Sequence, residues 1–123
     1  MTDFHEPWDA LPAGVRDIHR AITSLKEELE AVDWYHQRVA ACTDPQLQRI
    51  LAHNRDEEIE HAIMTLEWLR RNMPGWDHNL RTYLFTEGEI TELEKSDRGD
   101  KEAGDEGGRG LGLGRPSRPS PPK

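Results

Sequence analysis

The chain has 123 residues with a hydrophobic fraction of 34% and a mean hydropathy of −0.89, so it holds at most one small domain, and its apolar material is scant for a self-sufficient core. A net charge of −8 and a pI near 5.2 exclude a nucleic-acid binder, because phosphate contacts need a basic surface, and are compatible with attracting cations. Cys42 is the single cysteine, which excludes an intrachain disulfide or a thiolate metal cluster and fits a reducing, cytoplasmic compartment.

Residues 1–12 read as an irregular N-terminal arm, with no basic n-region or apolar h-region of an export signal. Phe4 and Trp8 suit that arm to lie against a neighbour. From Val15 the apolar residues Ile18, Ile22, Leu25, Leu29, Val32 and Val39 recur every three or four positions, which predicts a first helix over about 13–41. Thr43-Asp44-Pro45 supplies a capping oxygen and then a proline whose missing N–H costs nothing in a first turn, so a second helix is expected over 45–72. Pro74-Gly75 breaks it, and a shorter third helix follows over 76–86, with a further turn or two up to Lys95. The helical domain thus spans 13–96. After Ser96 the composition turns to Gly, Asp, Glu and Lys, too polar for burial to offset ordering entropy, so 97–123 is expected to be a disordered linker and tail. No stretch reaches the roughly 18 apolar residues of a membrane span. The predicted class is all-α: an antiparallel two-helix hairpin with a short C-terminal helix.

Glu58 and His61 sit three apart in the second helix, within the apolar stripe of Leu47, Ile50, Leu51, Ala62, Trp68 and Leu69. A carboxylate there needs a proton, a charged partner or a cation, since an unpaired buried charge costs several kcal/mol. The four-residue pattern alone is ordinarily a solvated surface pair; its place in the stripe reverses that and favours a metal. Glu28 lies at the flank of the first helix's stripe, with Tyr35 further along, and a short connection between the helices would bring Glu28 near the other two. In water, Glu28 would be an ordinary boundary carboxylate. One Glu plus Glu-x-x-His is half of the site that ferritin-like bundles build from four helices. Two helices per chain then imply that two chains pair into a four-helix bundle, with two metals at the shared interface. Carboxylates with one imidazole suit iron or manganese, and zinc stands higher in affinity. A second apolar patch, Ile59, Ile63 and Leu66, asks for cover on another side, from the third helix or from further copies.

Longer strings are more specific. His5-Glu6-Pro7, Glu27-Glu28-Leu29-Glu30-Ala31-Val32-Asp33-Trp34-Tyr35, Ala52-His53-Asn54-Arg55-Asp56-Glu57-Glu58, Glu60-His61-Ala62, Met64-Thr65-Leu66-Glu67-Trp68-Leu69-Arg70-Arg71-Asn72 and Leu80-Arg81-Thr82-Tyr83-Leu84-Phe85-Thr86-Glu87-Gly88 closely resemble the encapsulated ferritins. The resemblance implies a ferroxidase that oxidises Fe(II) with dioxygen inside an encapsulin shell and passes Fe(III) to the lumen for mineral storage. It implies a dimer with two irons at its interface and a ring of ten subunits, with Zn, Mn or Ca as substitute ions. By position, Glu28, Glu58 and His61 match the iron ligands, Tyr35 the tyrosine beside them, and Glu27, Glu30 and Trp34 a metal-access and secondary site. Those last three also share a face by their spacing of three and four. His53 and Glu57, one turn apart, make a weaker candidate pair.

In the tail, Leu111-Gly112-Leu113-Gly114 resembles the peptides that dock cargo on an encapsulin wall, two apolar side chains being set two apart on a flat backbone. The match ends at Arg115-Pro116, where a small residue and an apolar one are usual. Two rivals stand beside the enzyme: an acidic iron buffer or metallochaperone without turnover, and a structural module in which Glu58 and His61 pair with Arg55 or each other. A rubrerythrin-like reductase would want more cysteines and more Glu-x-x-His copies.

Overall fold

The computed structural model describes residues 4–105. They form a short 3-10 turn at Trp8–Ala10 and the helices α1 (Ala13–Ala41), α2 (Pro45–Asn72), α3 (Trp76–Tyr83) and α4 (Ile90–Asp105), with no strand among the described residues. The chain divides into one compact unit through Asn72 and another from Met73.

In the first unit α1 and α2 pack along one another as a hairpin. Three residues connect them. Cys42 turns to extended backbone and its N–H closes on the Arg38 carbonyl at 2.9 Å. Asp44 accepts the Leu47 N–H at 2.7 Å through Oδ2, an N-cap that satisfies one of the free donors of α2, and Pro45 occupies the first helical position. Gln48 reaches back from α2, its amide donating to the carbonyls of Val39 and Cys42 at 2.8 and 3.1 Å. These bonds fix the reversal that sets the helices antiparallel.

Among the described residues the fully buried side chain is Leu69, with the buried Ala62 two turns before it, and both belong to α2. Leu29, Leu47, Ile50, Ile59, Ile63 and Met64 remain exposed. On α2, Ile50, Met64 and Trp68 fall to one flank of the contact with α1 and Ile59 and Ile63 to the other, at about 100° per residue. The hairpin therefore shows apolar surface along both of its seams.

The N-terminal arm covers part of α1 of its own chain. The Phe4 ring lies 4.1 Å from that of His19 and 5.3 Å from that of Trp8, centroid to centroid. The Arg16 guanidinium sits 4.1 Å over Trp8 and donates to its carbonyl at 2.7 Å. An arginine eight residues on was the available partner, and it ties the arm down locally.

In the second unit Gly75, at φ +102°, supplies the left-handed turn that leads into α3. The third helix ends at Tyr83, short of the expected residue 86, because Leu84 is extended and Phe85 takes φ +60°. The larger departure is α4. Composition places a linker from 97, yet the chain is helical through Asp105. Pairs one turn apart, Lys95 with Glu92 at 3.4 Å and Arg98 with Glu94 at 3.5 Å, support the first turns of α4. Asp97 adds an anchor on α3, accepting from His78 Nε2 at 2.7 Å and from Thr82 Oγ1 at 3.4 Å. The Leu111 to Gly114 motif lies outside the described residues.

Candidate metal centre

The antiparallel pairing sets the middle of α1 beside the middle of α2, and there Glu28, Glu58 and His61 converge. One donor atom from each lies within 4.8 Å of the others. His61 Nδ1 is 2.9 Å from Glu58 Oε1 and 3.6 Å from Glu28 Oε2. The Thr65 hydroxyl donates to the His61 carbonyl at 3.1 Å, one turn along. Glu28 and Glu58 are three-quarters covered, at 25% and 24% side-chain exposure, whereas His61 is more open.

Glu28 Oε2 is the telling atom. It is shut off from solvent and accepts no hydrogen bond. It has lost its water, and the His61 Nδ1 that faces it stands at 3.6 Å, outside hydrogen-bond length. Burial, then the hydrogen bond and charge of Glu58, push the Glu28 carboxyl above its ordinary range, against the pull of His61. The hydrogen bond to Glu58 pushes the His61 imidazole upward too, opposed by its own burial and helped by the Glu28, Glu58 and Glu57 charges. Two carboxylates and an imidazole thus compete for protons in a space that one divalent cation would satisfy. The donor set, two oxygens and one nitrogen, fits iron or manganese and leaves further positions for a second copy or water.

The other sequence-derived residues distribute unevenly. Tyr35 is half-buried on α1, its ring under the Arg38 guanidinium at 5.1 Å, and among the described residues it makes no hydrogen bond to the cluster. Glu27, Glu30 and Trp34 are exposed on α1 and come into no group of three metal donors among the described residues. Glu57 groups with Glu60 and His61 in a second, more open set. Glu60 was missed in the sequence, although its spacing of three from Glu57 is a readable signal. Arg55, which could have neutralised Glu58, is engaged elsewhere: its Nε bonds Asp56 at 3.1 Å and its Nη1 lies 3.3 Å from His36 Nδ1.

Residues 3–87 match the sequence model of the family described as EncFtn-like. The chain belongs to the EncFtn-like family. Among EncFtn-like relatives and neighbours, it is 59% identical over 106 residues to an "encapsulated ferritin-like protein" of Rhodospirillum rubrum, a match covering 86% of this chain and 76% of that one. It is 61% identical over 99 residues to a "ferritin-like protein" of Thermotoga maritima, covering 80% and 87% of the two chains. The crystal structure of protein ne0167 from Nitrosomonas europaea superposes with a TM-score of 0.70 at 58% identity, covering 72% of this chain and 98% of that one. The encapsulated-ferritin resemblance of the motifs and the all-α class both stand on these matches.

Proposed function

We propose that this EncFtn-like chain is a ferroxidase: it takes Fe(II) as substrate at a centre of two irons formed between two copies and passes the electrons to dioxygen. The observation that carries the reading is the buried, donorless Glu28 Oε2 facing Glu58 and His61 on a seam of the hairpin. Each chain supplies half of a two-metal donor set, and a second copy meeting it at that seam supplies the other half. The names of the relatives from R. rubrum and T. maritima support iron handling of a ferritin kind.

The roles follow from charge and reach. Glu28 and Glu58 present anionic oxygens, which favour Fe(III) over Fe(II), while the His61 ring nitrogen completes each iron's protein donors. Two Fe(II) ions held together deliver two electrons to one dioxygen. Tyr35, two turns from Glu28, tunes the site once a second copy is in place. Glu27, Glu30 and Trp34 form the access and secondary site, where an acidic surface gathers cations. Five dimers closing into a ring, a tail that tethers the ring to an encapsulin wall, and storage of the product in that shell's lumen complete the proposal.

The test is anaerobic Fe(II) loading of the metal-free protein, admission of oxygen, and simultaneous measurement of Fe(III) absorbance, oxygen uptake and oligomer size. Wild type is expected to oxidise iron rapidly and shift to a larger assembly, and Glu58→Ala to lose the rapid oxidation. Iron binding with no oxygen uptake would favour a buffer, and metal-independent oligomers with no iron a structural module; either result overturns the enzyme.

A further inference from the structure

Leu84, Phe85 and Ile90 carry apolar side chains into solvent around the turn that joins α3 to α4. Phe85 is the extreme case: its side chain is fully exposed on a backbone of φ +60°, a conformation that a bulky residue rarely adopts. The Thr86 hydroxyl, donating to the Tyr83 carbonyl at 2.7 Å, and Gly88, at φ +96°, shape the same turn. Scattered exposed apolar residues are ordinary, but three within seven positions, one on a strained backbone, form a patch that asks for cover. Its surroundings are acidic. Residues 84–94 hold Glu87, Glu89, Glu92 and Glu94 and no Lys or Arg. Glu92 and Glu94 share Lys95 and Arg98, whereas Glu87 and Glu89 enter no ion pair among the described residues.

We infer that Leu111 and Leu113 of the same chain cover this patch, the segment after α4 running back antiparallel to that helix. Charge favours this occupant over another apolar surface. Arg109 and Arg115 stand two residues outside the leucine pair on either side, Arg118 follows, and Glu106 is the single acid between 106 and 123, so a basic segment bearing two leucines meets an acidic turn bearing the apolar patch. The reach agrees. With 16 residues, α4 is about 24 Å long at 1.5 Å per residue. Leu113 comes eight residues after Asp105, and eight extended residues span about 26 Å. That brings Leu113 level with Ile90 and Phe85, and Arg115 level with Glu87 and Glu89. Set two apart on an extended backbone, Leu111 and Leu113 face the same way, toward the patch. The consequence goes beyond the ferroxidase reading and does not need it: the two leucines must leave this turn before they enter any other apolar pocket. The tether proposed above is then gated by competition within the chain, its apparent affinity falling in proportion to the fraction of free tails.

The chain contains two phenylalanines, Phe4 and Phe85, so para-fluorophenylalanine labelling of the full chain gives two fluorine resonances, and Phe85→Leu assigns them. The solvent isotope shift between light and heavy water, measured with paramagnetic metal absent, reads the exposure of the Phe85 ring. It is expected to be several-fold smaller in the otherwise wild-type chain than in Leu111→Ser/Leu113→Ser. A full shift in wild type, where nothing covers the ring, or an equally small shift in the variant, where some other surface covers it, overturns the inference. Arg115→Glu should partly uncover the ring, and adding Glu87→Lys/Glu89→Lys to that chain should cover it again; a shift that follows neither change overturns the charge pairing on which the choice of occupant rests. Labelled Leu111→Ser/Leu113→Ser chains reassembled with an excess of unlabelled wild type should keep Phe85 exposed; recovery of cover means that tails cross between copies and overturns docking within one chain. None of these readouts depends on iron oxidation, so this inference and the ferroxidase reading fail separately.

Discussion

Truncating Leu69 to alanine separates the hairpin's own stability from the stability that assembly adds. Leu69 is fully buried, so the change removes its transfer free energy and leaves a cavity, about 3 kcal/mol together. Roughly 60 residues of hairpin, at 0.05–0.15 kcal/mol each, hold only about 3–9 kcal/mol, so this one change removes a third of the stability or more. Ile63 is the contrasting case. It is 58% exposed in the single chain, and truncation there should cost less than about 0.5 kcal/mol unless another copy covers it. Urea unfolding at two well-separated protein concentrations distinguishes the two. Leu69→Ala is expected to lose the same amount at both; Ile63→Ala should match wild type in dilute solution and fall behind it in concentrated solution, where mass action favours the oligomer. A loss below about 1 kcal/mol for Leu69→Ala would refute the reasoning that this residue anchors the helix pair.

Other outcomes follow from single contacts. Hydrogen bonds first from Arg70 and then from Arg71 hold the Glu67 carboxyl at about 2, below its ordinary 4.5. Its folded-state pKa being depressed, its stabilisation is complete above pH 4.5 and is lost as pH falls toward 2. With Glu67 39% exposed, screening leaves about 1 kcal/mol, and Glu67→Gln should flatten that part of an acid-unfolding curve; an unchanged curve would count against it. Glu28 and His61 both hold protons more readily than usual, so Mn(II) affinity should rise with pH as binding displaces them. Calorimetric titration in mildly acid and neutral buffer tests this, and equal affinity would argue against those ligands. Asp44→Ala removes the cap on the Leu47 N–H and should cost about 1 kcal/mol in thermal unfolding without altering Mn(II) binding.

The long helices were legible because their apolar residues keep a helical period over eight turns and Thr43-Asp44-Pro45 marks the turn chemically. Glu28, Glu58 and His61 were legible for the same reason: periodicity says which way a side chain points, and the short connection says what it meets. Tyr35 and the trio of Glu27, Glu30 and Trp34 rest on resemblance, since nothing within one chain gathers them. The helix beyond residue 96 was not legible, because a burial criterion does not register turns held by pairs such as Arg98 with Glu94. The reach of Asp97 to His78, nineteen residues away, is a tertiary contact with no local pattern. For Phe4 and Trp8 an aromatic pair near a terminus shows its need for cover but not its source, and α1 of the same chain supplies part of that cover.

The half-set of donors on each chain has a genetic corollary. On the paired-centre reading, a copy carrying Glu58→Ala still folds and still joins intact copies, so it poisons every centre it enters. Expressed equally with wild type, it leaves about one quarter of pairs wholly intact under random pairing. A cell carrying both alleles would then show a deficit deeper than the loss of half its protein, the dominant interference expected of a two-chain active site and not of a metal site complete within one chain.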